Sequence, residues 1–266
     1  MTESRAAAFR ALHLPGDPLV MPNPWDAGSA RILVALGFAA LATTSSGYAL
    51  TLGRSDGSVS RDEALAHSAS VASSVEVPVN ADLEDGFAAG PEEVAATMAL
   101  VTATGVAGCS LEDWHDGAIL PADQATERVA AAREALGGEV VLTARAENFL
   151  RGNPDLADTV ERLQAYAAAG ADVLYAPFLT SADDIRAVVS SVDRPVNVLL
   201  TQQTPTIPEL AELGVARVSV GGAFAFAAYG SLVGLAAQLR GPGPYAYFAE
   251  VARGGELARR AIDPGS

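Results

Sequence analysis

The feature that most constrains this chain is a repetition. Short apolar, β-rich runs recur along it: PLVMPNPW near 18, FAALATTSSG near 38, VPVNADLED near 77 and GVAGCSLED near 105, then EVVLTARAEN near 139, ADVLYAPFL near 171, PVNVLLTQ near 195 and ARVSVGGAF near 216. Intervening stretches such as GPEEVAATMALVTATG, DLADTVERLQAYAAAG and TIPELAELG carry apolar residues at three- and four-residue spacing and close on glycine, as helix C-termini do. Near-continuous apolar strands need cover on both faces, and parallel neighbours need a crossover between them. Strand, loop and helix repeated eight times predict an α/β fold, a (β/α)8 TIM barrel. The expectation is one barrel domain over 1–266, with 224–266 as a C-terminal helical extension of two helices around a Gly/Pro break. An open doubly wound sheet is the rival, and the lack of GxGxxG after the first run counts against it.

Composition narrows the function classes. Half of the 266 residues are hydrophobic, enough for a sizeable core, and the formal charge of −15 argues against binding nucleic acid or anionic lipid. No stretch is apolar for the length a membrane helix needs, and MTESRAAAFRALHLPGD is polar where a secretory h-region would be, so a cytoplasmic protein is expected. The single cysteine, Cys109, cannot form an intrachain disulfide and reads as a structural thiol. All 17 basic residues are arginine, which removes Schiff-base aldolase chemistry and the phosphate-loop lysine together.

In such a barrel the C-terminal strand ends form the active site. Here those ends carry Asn23, Trp25 and Asp26, then Thr43, Thr44, Ser45, Ser46 and Gly47, then Asp82, Glu84 and Asp85. Glu112 and Asp113 follow, then Arg145, Glu147 and Asn148, and finally Asn197 and Gln202. A single Asp or Asn there is ordinarily a cap or turn residue, and Asp26 reads as an N-cap. Convergence is different, because carboxylates brought within a few ångströms repel unless a cation or proton intervenes. Arg145 alone cannot balance them. A hard divalent ion resolves the problem, Mg²⁺ being the natural choice and Mn²⁺ able to substitute. Asp82 and Glu84 are two residues apart, so extended geometry would turn both to one side, with Asp85 capping the turn. Trp25 is a candidate pocket wall or mouth-packing residue. His115 is the one residue of LEDWHDGAILP able to exchange protons near neutral pH, which makes it a candidate acid or base. His13 and His67 fall away from the rim and read as structural or surface residues.

With these residues in view, the chain resembles the isocitrate lyase and phosphoenolpyruvate mutase superfamily, in order over roughly residues 18 to 225. The carriers are SSGY, GRSDG, DLEDGF, LED and ARAENFLRG. The resemblance implies a barrel enzyme that acts on a small 2-oxo or 2-hydroxy carboxylate, most simply by carbon–carbon cleavage or decarboxylation through a Mg²⁺-stabilised enolate. It implies that Ser45, Ser46 and Gly47 hold the substrate carboxylate and that Asp56 lies close to metal and substrate. Asp82 would be the principal metal ligand, Glu84 and Glu112 would orient metal-bound waters, and Arg145 would neutralise the substrate's oxyanion or carboxylate. Asn197 and Trp25 are further candidate substrate contacts. A homodimer or homotetramer using the C-terminal helices is expected. The chain departs from the family at the second acidic position, a Glu for the usual Asp. It departs again after the fourth run, where the lyases carry a cysteine acid in a lysine-bearing segment. That argues against authentic isocitrate or methylisocitrate cleavage. The alternatives are a phosphoenolpyruvate mutase-like or phosphonate-processing enzyme, or an inactive barrel that binds a small carboxylate.

Overall fold

Eight parallel strands form one sheet in a computed structural model, which describes residues 5–241 and 247–262. The strands are β1 (Leu19–Met21), β2 (Leu41–Ala42), β3 (Val79–Asp82), β4 (Gly108–Glu112), β5 (Val141–Arg145), β6 (Val173–Tyr175), β7 (Val196–Leu199) and β8 (Arg217–Ser219). From β2 to β8 each strand pairs with the next in sequence, and β8 returns to pair with β1. The ladder's one seam lies between β1 and β2. There the Ala42 N–H donates to the Pro22 carbonyl at 3.1 Å and the Asn23 amide donates to the Thr43 carbonyl at 3.0 Å, which draws the sheet into a nearly closed barrel.

Helices α2 (Ala27–Ala35), α4 (Arg61–Ser73), α5 (Pro91–Val101), α6 (Ala122–Leu136), α7 (Leu156–Ala168), α8 (Ala182–Ser191) and α9 (Ile207–Glu212) follow the strands, and α1 (Arg5–Ala11) precedes them. Their starts are written in short polar side chains. Asp26 and Ser60 close capping boxes with Ser29 and Glu63, while Asp155 and Ser181 accept the amides of Asp158 and Asp184. Buried Val94, Met98, Val129, Leu136, Leu163, Ile185 and Val188 seal the outer face of the sheet. At the opposite end α1 plugs the barrel floor, its Phe9 packed with Leu19, Met21, Ala42, Val141 and Val173.

Three local differences from the sequence expectation matter. SSGY does not continue β2: Thr44 caps a short helix, α3 (Ser45–Thr51), its hydroxyl accepting the Gly47 amide. WHDGAI is a hairpin, Trp114–His115 paired antiparallel with Ala118–Ile119, because Asp116 and Gly117 both take positive φ (48° and 85°) and close a two-residue turn. Finally, β3 ends at Asp82, and Glu84 adopts φ 49°, so strand alternation does not govern where Glu84 points.

The C-terminal extension contains α10 (Ala223–Leu239) and α11 (Phe248–Ile262), with α11 packed on α2. Residues 242–246 of the Gly/Pro break, and 263–266, lie outside the described residues. Phe224, Phe226, Leu232 and Val233 of α10 are exposed. Among the described residues no helix is long and apolar enough to cross a membrane.

Candidate active site at the barrel rim

Ladder register assembles the rim. Asp82 is aligned with Ser110, and Glu112 with Arg145, which is in turn aligned with Tyr175. Neighbouring strands lie about 4.8 Å apart, so these side chains must meet. Arg145 is the centre: it reaches Asp82 Oδ1 at 3.1 Å, Glu112 Oε2 at 3.1 Å and Glu147 Oε1 at 2.9 Å, above the Tyr175 ring. Burial opposes its charge, but the carboxylates of Glu147, Glu112 and Asp82 outweigh burial and hold the guanidinium well above its usual range. Burial pushes the Glu112 carboxyl well up, and Glu147 and Asp82 add to that, against Arg145. Arg151 lies 3.5 Å from both Glu112 and Glu147 and stacks 4.4 Å from the Trp114 ring, which ties the hairpin to the loop after β5.

Asp82 is held on both oxygens. Its Oδ2 accepts the Ser45 amide at 3.0 Å, while Oδ1 accepts from the Ser110 hydroxyl and from Arg145. Glu84 faces the same cavity, and burial, then the carboxylates of Asp82, Asp56 and Asp85, push its carboxyl up to about 8 against Arg145. Asp85 accepts the Phe87 amide at 2.8 Å, closing the turn, and its other oxygen lies 2.5 Å from His115 Nδ1. Beneath the turn, buried Arg128 donates to the carbonyls of Glu112, Ala88 and Asp85 and so fixes the loop after β3 against β4.

A cavity of about 1010 Å³ is lined by Ser45, Ser46, Asp56, Asp82, Glu84, Glu112, His115, Arg145 and Asn197. Gly47 and Trp25 stand behind it. Gly47 is wedged against Thr44, Ala225 and Trp25, where a Cβ would lie 2.6 Å from Thr44, and the Trp25 carbonyl pairs with His67 Nε2 at 3.0 Å. Sequence reasoning did not single out Asp85, Ser110, Arg151 or Tyr175 as site residues. Only Arg151, four residues after Glu147, had a readable spacing signal.

The donor set suits a hard cation. Its atoms are carboxylate oxygens in electrostatic excess, as the raised Glu84 carboxyl records. Among the described residues no three acidic, His or Cys groups form a preformed cage. Mg²⁺ does not need one, since it keeps several waters and binds through one or two carboxylates.

Fold and rim together define a barrel enzyme of the lyase and mutase class. A family profile described as phosphoenolpyruvate phosphomutase matches residues 9–240, and the chain belongs to that family, within the isocitrate lyase/PEP mutase superfamily. A 2-methylisocitrate lyase from Halalkalibacterium halodurans is 28% identical over 206 residues, covering 74% of this chain and 68% of the relative. Among solved structures, a Burkholderia cenocepacia J2315 protein named as a lyase or mutase superposes with a TM-score of 0.92 at 46% identity, covering 98% of this chain and 97% of that one. A 2,3-dimethylmalate lyase superposes with a TM-score of 0.82 at 28% identity over 92% of this chain and 90% of its own.

Proposed function

We propose that the chain is a Mg²⁺-dependent enzyme that cleaves a carbon–carbon bond in a small 2-hydroxy or 2-oxo carboxylate. The observation that carries this reading is Arg145, a guanidinium gripped by Asp82, Glu112 and Glu147 at the rim of the cavity that Asp56 and Glu84 also line. Related lyases named for 2-methylisocitrate and 2,3-dimethylmalate support the same reaction class.

Asp82, with Glu84 and Glu112, would hold the ion, and bound there it would supply Lewis-acid charge to a substrate oxygen. The chain's own groups do the rest. The hydroxyls of Ser45 and Ser46 hold the substrate carboxylate, and Asp56 stands at the cavity edge. When the bond between the hydroxyl-bearing carbon and a carbon α to a neighbouring carbonyl or carboxylate breaks, its electron pair stays on that α-carbon and delocalises onto the carbonyl or carboxylate oxygen as an enolate. Arg145 is oriented to stabilise that charge because its forked donors are fixed before reaction. The hydroxyl-bearing carbon becomes a carbonyl as its proton passes to a rim carboxylate. His115, held by Asp85, returns a proton to the α-carbon, the role a cysteine has in the related lyases. Asn197 completes the wall opposite the acids.

Isothermal titration calorimetry with Mg²⁺ and oxalate tests the site. The wild type should show saturable Mg²⁺ binding that oxalate tightens, and Asp82→Asn should lose at least about tenfold in affinity. No heat with either ligand in the wild type overturns the reading. The exposed apolar face of α10 supports a further proposal, self-assembly into dimers or tetramers.

A further inference from the structure

The barrel holds one more charge, below the rim. Arg217 on β8 is 2% exposed, and its hydrogen-bond partners are all neutral. Nε donates to Asn197 Oδ1 at 2.9 Å, Nη2 donates to Thr143 Oγ1 at 3.1 Å, and Nη1 lies 3.3 Å from His13 Nε2. His13 Nδ1 lies 2.8 Å from the Phe9 carbonyl, which places the ring hydrogen on Nδ1 and leaves Nε2 to accept from Arg217. Burial, then Arg217 itself, pushes this imidazole down to about 3, so it stays neutral. Among the described residues no Asp or Glu pairs with Arg217. Burial lowers the guanidinium only to about 9, which leaves it charged at neutral pH. A buried guanidinium without an opposite charge is costly, and the fold keeps this one in the middle of its barrel.

Its position supplies a reason. Arg217 lines the same cavity as Ser45, Asp82 and Arg145, and only three of its five N–H donors are engaged. Thr143, its partner on β5, precedes Arg145 by two residues, so the two guanidinium levels differ by on the order of 7 Å along the strand. Asn80 lines the same wall, and its buried Oδ1 has no partner, which leaves an acceptor open to a hydroxyl.

We infer that Arg217 is a specificity-determining residue that receives a second anionic group of the substrate. The substrate is then a short diacid, with one carboxylate at the rim serines and the other reaching down the barrel to Arg217. This rests on the rim being the carboxylate-cleaving site proposed above.

Bromide serves as the probe in wild-type crystals, with anomalous diffraction as the readout. A peak within hydrogen-bonding range of the Arg217 Nη atoms is expected, displaced by malate or glutarate and left in place by lactate. No peak at Arg217 overturns the inference, and so does a peak that neither diacid displaces, which marks an inorganic-ion site. In solution, Arg217→Gln should raise KM for a cleaved diacid by at least about tenfold with a smaller change in kcat, and leave inhibition by lactate unchanged. Arg217→Lys should recover part of the loss. Equal weakening towards diacid and lactate contradicts the assignment. If Arg217→Gln does not fold, the bromide displacement in the wild type decides. Malate that displaces bromide from a chain turning over no acid keeps the anion site and removes only the lyase reading.

Discussion

Arg145 sets the electrostatics of the rim because three carboxylates close on one guanidinium, and Glu84 is left over. Its carboxyl is pushed up to about 8, from an ordinary glutamate value of 4.5, chiefly by burial and then by Asp82, Asp56 and Asp85. Between those values the folded chain holds a proton that the unfolded chain has released. The associated stability is therefore complete below about 4.5 and is lost as pH rises through about 8. In EDTA, melting temperature followed by circular dichroism should fall over that window, and Glu84→Gln should flatten the fall. Matching curves for wild type and variant would contradict this placement of Glu84. At this scale the sequence was informative about which residues line the cavity, because a strand end in a barrel can point only at the rim. It was silent on pairing. Asp85 looked like a turn cap and is one, but its second oxygen meets His115 only because WHDGAI folds back as a hairpin.

Elements place these residues, and their order was legible because apolar runs and glycine-terminated helical stretches alternate along the whole chain. Their ends were less so. Extended geometry suggested that Asp82 and Glu84 face one way, yet β3 stops at Asp82 and Glu84 takes φ 49°. SSGY read as the polar end of the second run and not as a helix, since nothing in its composition distinguishes a strand end from the capped start of α3. At the start of β4 the packing is tight enough to test. A Cβ on Gly108 would lie 2.7 Å from both Asn80 Oδ1 and Phe9 Cε1 and 3.1 Å from the Val141 carbonyl. Gly108→Ala should therefore destabilise the barrel floor by roughly 1–3 kcal/mol in urea unfolding, the usual cost of overpacking. Wild-type stability in that variant would show that the contact between α1 and the floor is looser than described.

At the scale of the whole molecule, the barrel satisfies its own core while the C-terminal extension does not. Leu232 and Val233 of α10 are 58% and 70% exposed, beside exposed Phe224 and Phe226. An apolar helix face of that kind is stable in water only when something covers it, and a second copy of the chain is the proposed cover. Multi-angle light scattering should give a dimer or tetramer for the wild type and a shift towards monomer for Leu232→Asp/Val233→Asp. A monomeric wild type removes the proposal. The extension was visible in the sequence as two helices beyond the eighth strand, but amphipathic patterning does not say which neighbour a helix will find. Substrate identity stays outside sequence reasoning for a similar reason: Arg217, Asn80 and Thr143 are core positions by pattern, and only the folded barrel shows them lining the cavity or, for Thr143, bonded to a residue that does.

The most direct test of the central claim is a screen of 2-hydroxy and 2-oxo acids, including short diacids, for release of pyruvate, glyoxylate or CO₂ with and without Mg²⁺. The account predicts turnover of at least one acid that EDTA abolishes, that Mg²⁺ restores and that Arg145→Gln lowers by about 100-fold or more. Turnover that persists undiminished in EDTA or in Arg145→Gln would contradict it.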